Sequence, residues 1–585
     1  MAPGRWRFLR SPHIWALLAV FAFEFVVFDQ VFARRHSWIY PRWNDQIQYL
    51  TECYTGWDFM RAHGFWRGLW QTLVNPSAQG TLHDVAGVLV FTIAGGPSRS
   101  ALLALNMLAL VAWQAATFFA LVRVTRSHSL AWAGAALPVA LAWPWNGWAG
   151  SMADFRLDHF AMCAFGISFA AALLAGGFRS TRWSIAFGAT VGFTLLTRFL
   201  TGTYFTLIFL ACLTWLLCTQ DRWRRVRNLG LAALTAFGLA APIFWLNREW
   251  VWNYYWIGHF TGPESAIRSP HMNFSRSLNF VWSNVRDRHL RAMFGWATGL
   301  ASALWVFYAV TAWWPWTRDP AKRATGKFFW TEANLDRGTP PPASRPQAPL
   351  PWSMLRLSAI FMLAPATVLT LHSQKSEIVL GVILPGLIGL IVFFWLVLLR
   401  FVGAHTPPTL LRNLAAIPTL VVCTLTTWHF HRAVEAPPHD SERTSDLRAI
   451  NQLADRVFTS VNLAKLTRPW VGVNQISTGF DALVLSVICY ERHKVWVPFA
   501  MTLPTGIMEA DEKLIMERVA LSDFFFLVVD GPVSDWPFDR QQRALLPKVQ
   551  AWCEANRRPV ARYEIFGQRM VLYQRPEIPF ASGRP

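Results

Sequence analysis

At 585 residues, with 53% apolar and only 15% charged residues, the chain is too apolar for an ordinary soluble protein, in which about a quarter of residues are charged. Its formal net charge of +20 invites a nucleic-acid reading, yet no recognised nucleic-acid motif accompanies the charge. Basic residues flanking apolar segments fit the anionic phosphates of a bilayer, so the expected partner is the membrane and no nucleic acid.

The N-terminus, MAPGRWRFLR, is basic, and the apolar stretch from Ile14 to Phe32 is long enough to span a bilayer and too long for a cleaved signal peptide. Ten further apolar segments follow, at 100–122, 129–146, 157–177, 184–199, 201–219, 229–247, 293–314, 353–371, 377–400 and 411–429. The expectation is therefore a mainly α-helical polytopic membrane protein with about eleven spans. Arg198 sits in the middle of the 184–219 region, which reads as two short helices meeting there. Glu24 and Asp29 in the first span are further intramembrane acids, and such groups usually face the protein interior.

With the N-terminus in the cytoplasm, every short loop assigned inside is basic: Arg123 and Arg126, Arg179 and Arg182, Arg222 to Arg227, Arg318 to Lys327, and Arg400 with Arg412. An odd number of spans then puts the tail outside. Two outer segments, 34–99 and 248–292, are too long to be simple connectors. The first carries amphipathic pieces such as Phe65-Trp66-Arg67-Gly68-Leu69-Trp70, suited to the headgroup zone. The stretch TPPPASRPQAPLP between the eighth and ninth spans reads as a flexible loop.

From about Ala436 the pattern changes. Strand-like runs (Trp470–Ile476, Val495–Phe499, Phe524–Val529) alternate with helical ones, and Ala561–Phe566 with Arg569–Gln574 reads as a hairpin around Gly567. The alternation predicts a soluble α/β domain over 436–585 with a partly parallel sheet. It lacks a glycine-rich phosphate loop after any strand. The seven Cys show no CxxC or Cys/His ligand spacing, so spacing points to no metal site. Cys489 and Cys553 read as either a disulfide or two buried thiols.

Three clusters carry chemistry. Asp45, in Trp43-Asn44-Asp45-Gln46, lies just outside the first span and is a candidate general base, against the plainer reading of a solvated loop acid. Asp154 and Asp158 are four apart at the entrance of the fourth span, with Arg156 and His159 beside them, against the plainer reading of acids favoured by a helix N-terminus. His372 and Lys375 lie in a short turn before the tenth span and suit a phosphate at headgroup level, against ordinary snorkelling of a terminal Lys.

Taken in order, these features resemble the GT-C class of membrane glycosyltransferases. The similar branch holds the bacterial aminoarabinose transferases, protein O-mannosyltransferases and related polyprenyl-phosphate-sugar enzymes. The resemblance covers about residues 10–430. It rests on the first-loop Asp45, the Gly96–Arg99 turn entering the second span, the acidic pair before the fourth, and Lys375 followed by Leu384-Pro385. Two departures stand out: Asp45-Gln46 where the family has Asp-Glu, and Leu82-His83-Asp84 where it has (His/Lys)-Pro-Pro.

The resemblance implies a catalytic GT-C-like transmembrane domain over 1–430 in a bacterial inner membrane, with the 436–585 domain in the periplasm. It implies an inverting transfer from a polyprenyl-phosphate-linked sugar donor to a hydroxyl of a glycan, lipid or protein acceptor. Catalytic roles pass to Asp45, Asp154 or Asp158. Donor-phosphate binding passes to Lys375, Arg198 and His372, and the acceptor side to His83, Asp84 and His159. A divalent metal occurs in some relatives, and this sequence has no ligand cluster that demands one. The competing readings are an O-antigen ligase or polymerase, supported by the Arg and His residues of 248–292, and a lipid-linked sugar transporter or flippase, for which the internal repeats are missing.

Overall fold

The computed structural model describes residues 12–30, 44–141, 150–262, 272–290, 351–372, 376–403 and 444–463. In the tail it describes 465–466, 469–474, 482–496, 499–501, 512–531, 537–565 and 567–579. The expected spans at 293–314 and 411–429 lie outside the described residues, as does Lys375.

Helices α1 (Pro12–Phe28), α2 (Asn44–His63), α3 (Phe65–Leu73), α4 (Leu82–Ala94), α5 (Arg99–Thr125) and α6 (His128–Ala140) come first. They are followed by α7 (Leu157–Leu174), α8 (Thr181–Thr197), α9 (Thr201–Leu217) and α10 (Arg222–Leu246). A short α11 (Arg248–Val251) runs into a π-helical stretch, Trp252–Thr261, and α12 (Phe274–Asn284), α13 (Trp352–Leu371) and α14 (Leu384–Gly403) complete the helical part. A 3-10 turn, Ile378–Ile383, leads into α14.

Among the described residues, five helical segments are long and apolar enough to cross a membrane: Arg99–Thr125, Leu157–Leu174, Arg222–Leu246, Trp352–Leu371 and Ile378–Leu399. Ile14–Phe28, Leu82–Ala94 and Thr201–Leu217 are apolar but shorter. On α10 the residues Leu234, Phe237 and Trp245 are 68%, 70% and 69% exposed, an outward apolar face suited to contact with lipid. The predicted break at Arg198 is present: α8 ends at Thr197 and α9 begins at Thr201.

The helices pack around α7, which lies against α5 and α8, while α8 packs on α10 and α13 packs on α14 and α9. Phe165 on α7 anchors this core, with ring centroids 5.0 Å from Phe205 and 5.3 Å from Phe361. Small residues allow the close approaches; a Cβ on Gly166 would lie 2.2 Å from the Trp113 ring nitrogen. Glu24 is buried on α1 and accepts a 2.8 Å hydrogen bond from Gln114 on α5, which gives that acid an interhelical role.

The segment before α5 folds as α2, α3 and α4 packed on one another. On α3 the rings of Phe65, Trp66 and Trp70 are exposed while Gly68 and Thr72 are buried, the amphipathic arrangement of an interfacial helix.

In the tail, α15 (Thr444–Leu463), α16 (Ala482–His493), α17 (Glu512–Leu521) and α18 (Pro537–Asn556) alternate with five strands. These are β1 (Val471–Val473), β2 (Phe499–Met501), β3 (Phe524–Asp530), β4 (Arg558–Ile565) and β5 (Gln568–Gln574), in sheet order β2-β1-β3-β5-β4. The β2-β1-β3 part is parallel and the β3-β5-β4 part antiparallel. Gly567, at φ 70°, makes the β4–β5 turn. Cys489 and Cys553 are both free and buried, so the disulfide alternative falls away.

The tail docks on the N-terminal segment through α16. Glu491 accepts hydrogen bonds from Tyr54 Oη at 2.8 Å and Arg99 Nε at 3.1 Å. Asp58 on α2 accepts from Tyr490 Oη and, at 2.9 Å, from Trp496 Nε1.

Candidate functional site

Four pieces of backbone converge at one end of the helical part: the start of α2, the 77–84 segment, the start of α7, and the α8–α9 junction. The junction is held tightly. Thr81 N donates to Leu196 O at 2.9 Å and Phe199 N to Gln79 O at 2.7 Å. Gly80 permits this approach, with φ 143° and a would-be Cβ only 2.3 Å from Thr197 O. Asn247 Oδ1 accepts from Ser77 N at 2.7 Å, and Tyr255 Oη donates to Gln79 Oε1 at 3.2 Å, so the loop is fastened to α10 and the π-helical stretch as well.

The junction presents Arg198 to the first turn of α7, where its guanidinium forms an ion pair with Asp158. Both line a small cavity with Gly150, Met162, Tyr204 and Val379. Among the described residues, Arg198 Nε and Tyr204 Oη are buried and without hydrogen-bond partners. A buried donor left unpaired is costly, so the cavity is chemically suited to a polar, anionic group.

The two acids before α7 have different surroundings. Asp154 is 1% exposed and taken up by its own loop: Gly150 N and Arg156 N donate to it, as does Arg156 Nε at 3.0 Å. Burial opposes the Arg156 charge, but Asp154, then Asp158 and Asp45, outweigh it and hold the guanidinium protonated. Asp154 is thus absorbed in loop structure, whereas Asp158 faces the cavity.

Asp45 stands exposed in the first turn of α2, near enough for its charge to act on Arg156 and Tyr49. Tyr49 is buried one turn further along, and its phenol is pushed well up by burial, an effect that Arg198 partly opposes. His159 is fully buried, with Nε2 3.0 Å from Asn106 O. His372, at the end of α13, packs its ring against His259 and Phe260, each at 5.3 Å.

His83 and Asp84 are 1% and 4% exposed and face α2, and neither lines the cavity. Their neighbour is Cys53, and the three are the side chains that could hold a metal among the described residues. Burial, then the Asp84 charge, raises the Glu52 carboxyl beside them. Tyr204, Tyr255, Gln79 and Cys53 were not legible as site residues, because each is a single residue in an unremarkable local pattern and only packing brings it in.

The fold and this site define a polytopic helical membrane protein with a charged cavity where its helices end. Among solved structures, ArnT from Cupriavidus metallidurans bound to undecaprenyl phosphate has this fold, at TM-score 0.53 and 14% identity over 98% of each chain. ArnT in the apo state aligns at TM-score 0.45 and 16% identity, over 96% of this chain and 97% of that one. At such identities the likeness is one of fold. No protein-family profile matches the sequence, and no curated protein matches it.

Proposed function

We propose that this protein is an inverting glycosyltransferase that moves a sugar from a polyprenyl-phosphate donor to an acceptor hydroxyl, working at the periplasmic face of a bacterial inner membrane. The observation that carries the reading is the cavity at Asp158 and Arg198, with Arg198 Nε and Tyr204 Oη left to receive an anion. The ArnT fold, crystallised elsewhere with undecaprenyl phosphate, supports the same donor class.

In this scheme the donor phosphate enters the cavity and takes hydrogen bonds from Arg198 and Tyr204, with Lys375 and His372 as further contacts. Asp158 keeps the guanidinium oriented until the phosphate arrives. Asp45, on the solvent side, meets the acceptor hydroxyl and takes its proton. The acceptor oxygen bonds to the anomeric carbon as the bond from that carbon to the phosphate oxygen breaks, and configuration inverts. The lipid phosphate leaves with the electron pair, and its charge is offset by Arg198. The tail binds or orients the acceptor through its contact with α2.

The test uses the full chain in lipid nanodiscs with radiolabelled polyprenyl-phosphate sugars and membrane-extracted acceptors. Transfer should fall by about 10²-fold or more in Asp45→Asn, the range expected for loss of a general base. The reading is overturned if no donor is turned over while a labelled lipid crosses between leaflets, which is the transporter outcome.

A further inference from the structure

We propose that Cys53, His83 and Asp84 form a binding site for a zinc-class divalent ion that fastens α2 to α4. None of the three lines the cavity, and metal binding here does not depend on the glycosyl-transfer reading.

The two helices cross where glycine removes the obstacle. A Cβ on Gly87 would lie 2.7 Å from Cys53 Sγ, so its absence lets the sulfur reach the first turn of α4. There Cys53 Sγ is 3.7 Å from Asp84 Oδ1, and His83 Nδ1 is 3.3 Å from the same oxygen. The three ligand atoms all lie within 4.8 Å of one another. Tetrahedral zinc with its usual bond lengths holds ligand atoms about 3.3 to 3.8 Å apart, so the side chains already stand near ligand spacing.

All three residues are buried, at 0%, 1% and 4% exposure. Asp84 is the informative one. Among the described residues its carboxylate has no Lys or Arg partner and accepts no backbone N–H; its partners are a thiol and the adjacent imidazole. A buried carboxylate normally has a cation or several good donors. The Cys53 thiol is a weak donor at 3.7 Å and His83 Nδ1 stands at 3.3 Å, long for a hydrogen bond, so the carboxylate is thinly served for its burial. A divalent cation between the three converging ligand atoms would give this buried carboxylate the positive charge it otherwise lacks.

The donor set selects the metal. One thiolate, one imidazole and one carboxylate suit zinc, whereas magnesium and calcium take oxygen ligands. Binding replaces the thiol proton: the Cys53 S–H bond is broken, the proton passes to water, and the sulfur bonds to the ion without any change of oxidation state. A fourth position remains for water.

The ion's role is positional. Asp45 lies on the same helix as Cys53, about 12 Å along it at the usual rise per residue. The His83 ring also packs against Tyr49 of α2 and Phe160 of α7, at 6.2 and 6.0 Å between centroids. A bridge from Cys53 to α4 would set the roll of α2 and with it the placement of Asp45.

The experiment takes untagged full-length protein in nanodiscs, incubates it with zinc chloride, removes excess by gel filtration and counts the metal by mass spectrometry. One zinc per chain is expected, falling about tenfold or more in Cys53→Ser and Asp84→Asn and holding in Cys163→Ser. X-ray absorption at the zinc edge of the wild type should show one sulfur among nitrogen and oxygen neighbours. That measurement needs no variant to fold. Wild-type protein that retains no zinc, or zinc with a sulfur-free shell or a content unmoved by Cys53→Ser, would overturn the proposal.

Discussion

Arg198, at the junction of α8 and α9, pairs with Asp158 in the first turn of α7 while its Nε stays buried and without a partner. One side of the guanidinium thus serves the protein and the other is available to a ligand. That division of labour gives the pair separable effects on stability and on binding.

Removing either partner alone leaves an uncompensated buried charge, a loss of about 3–5 kcal/mol in such pairs. Arg198→Ala and Asp158→Ala should each lower the thermal midpoint in nanodiscs, and the double variant should be less destabilised than the sum of the two. Additive losses would mean the pair is not coupled. Arg198→Lys should fold yet raise the donor KM about tenfold, because the charge remains and the Nε donor does not.

Asp154 and Asp158 should separate cleanly. Asp154→Asn should mainly reduce stability, since its carboxylate holds Arg156 and the backbone of its own loop. Its kcat should stay within about threefold of wild type, while Asp158→Asn loses about tenfold or more, because the guanidinium that offsets the leaving phosphate is no longer held in place. Steady-state kinetics beside melting curves distinguish the two patterns, and equal kcat losses would place Asp154 in the cavity chemistry.

Gly80→Ala places a side chain at φ 143° and 2.3 Å from Thr197 O. Strain of this kind costs on the order of 1–3 kcal/mol. Because the same contact positions the Arg198 turn, donor affinity should fall together with stability. A thermal midpoint unchanged from wild type would show that the junction tolerates displacement.

The docking of the tail rests on Asp58 and Glu491. Asp58→Ala leaves Tyr490 Oη and Trp496 Nε1 without their acceptor, a change worth about 1–3 kcal/mol. Hydrogen exchange should quicken in α2 and α16 together, and transfer activity should drop if the tail orients the acceptor. Faster exchange in α16 alone would separate the tail from α2.

The apolar runs and their basic flanks were enough to read a polytopic helical membrane protein, because a span must satisfy its backbone internally and so writes its length into consecutive residues. The break at Arg198 was legible for the same reason: one charged residue in an apolar run forces a local explanation. The strand at Phe524–Val529 followed from a short continuous apolar run, and the Gly567 hairpin from turn chemistry. Which acids face a cavity was not legible. Asp154 and Asp158 look equivalent at a spacing of four, and only folding shows that one is consumed by Gly150 and Arg156 while the other meets Arg198. Cys53 and Asp84 are 31 residues apart on different helices, with no ligand spacing between them. Their meeting depends on Gly87 admitting a sulfur atom at a helix crossing, a contact between faces that no linear pattern encodes.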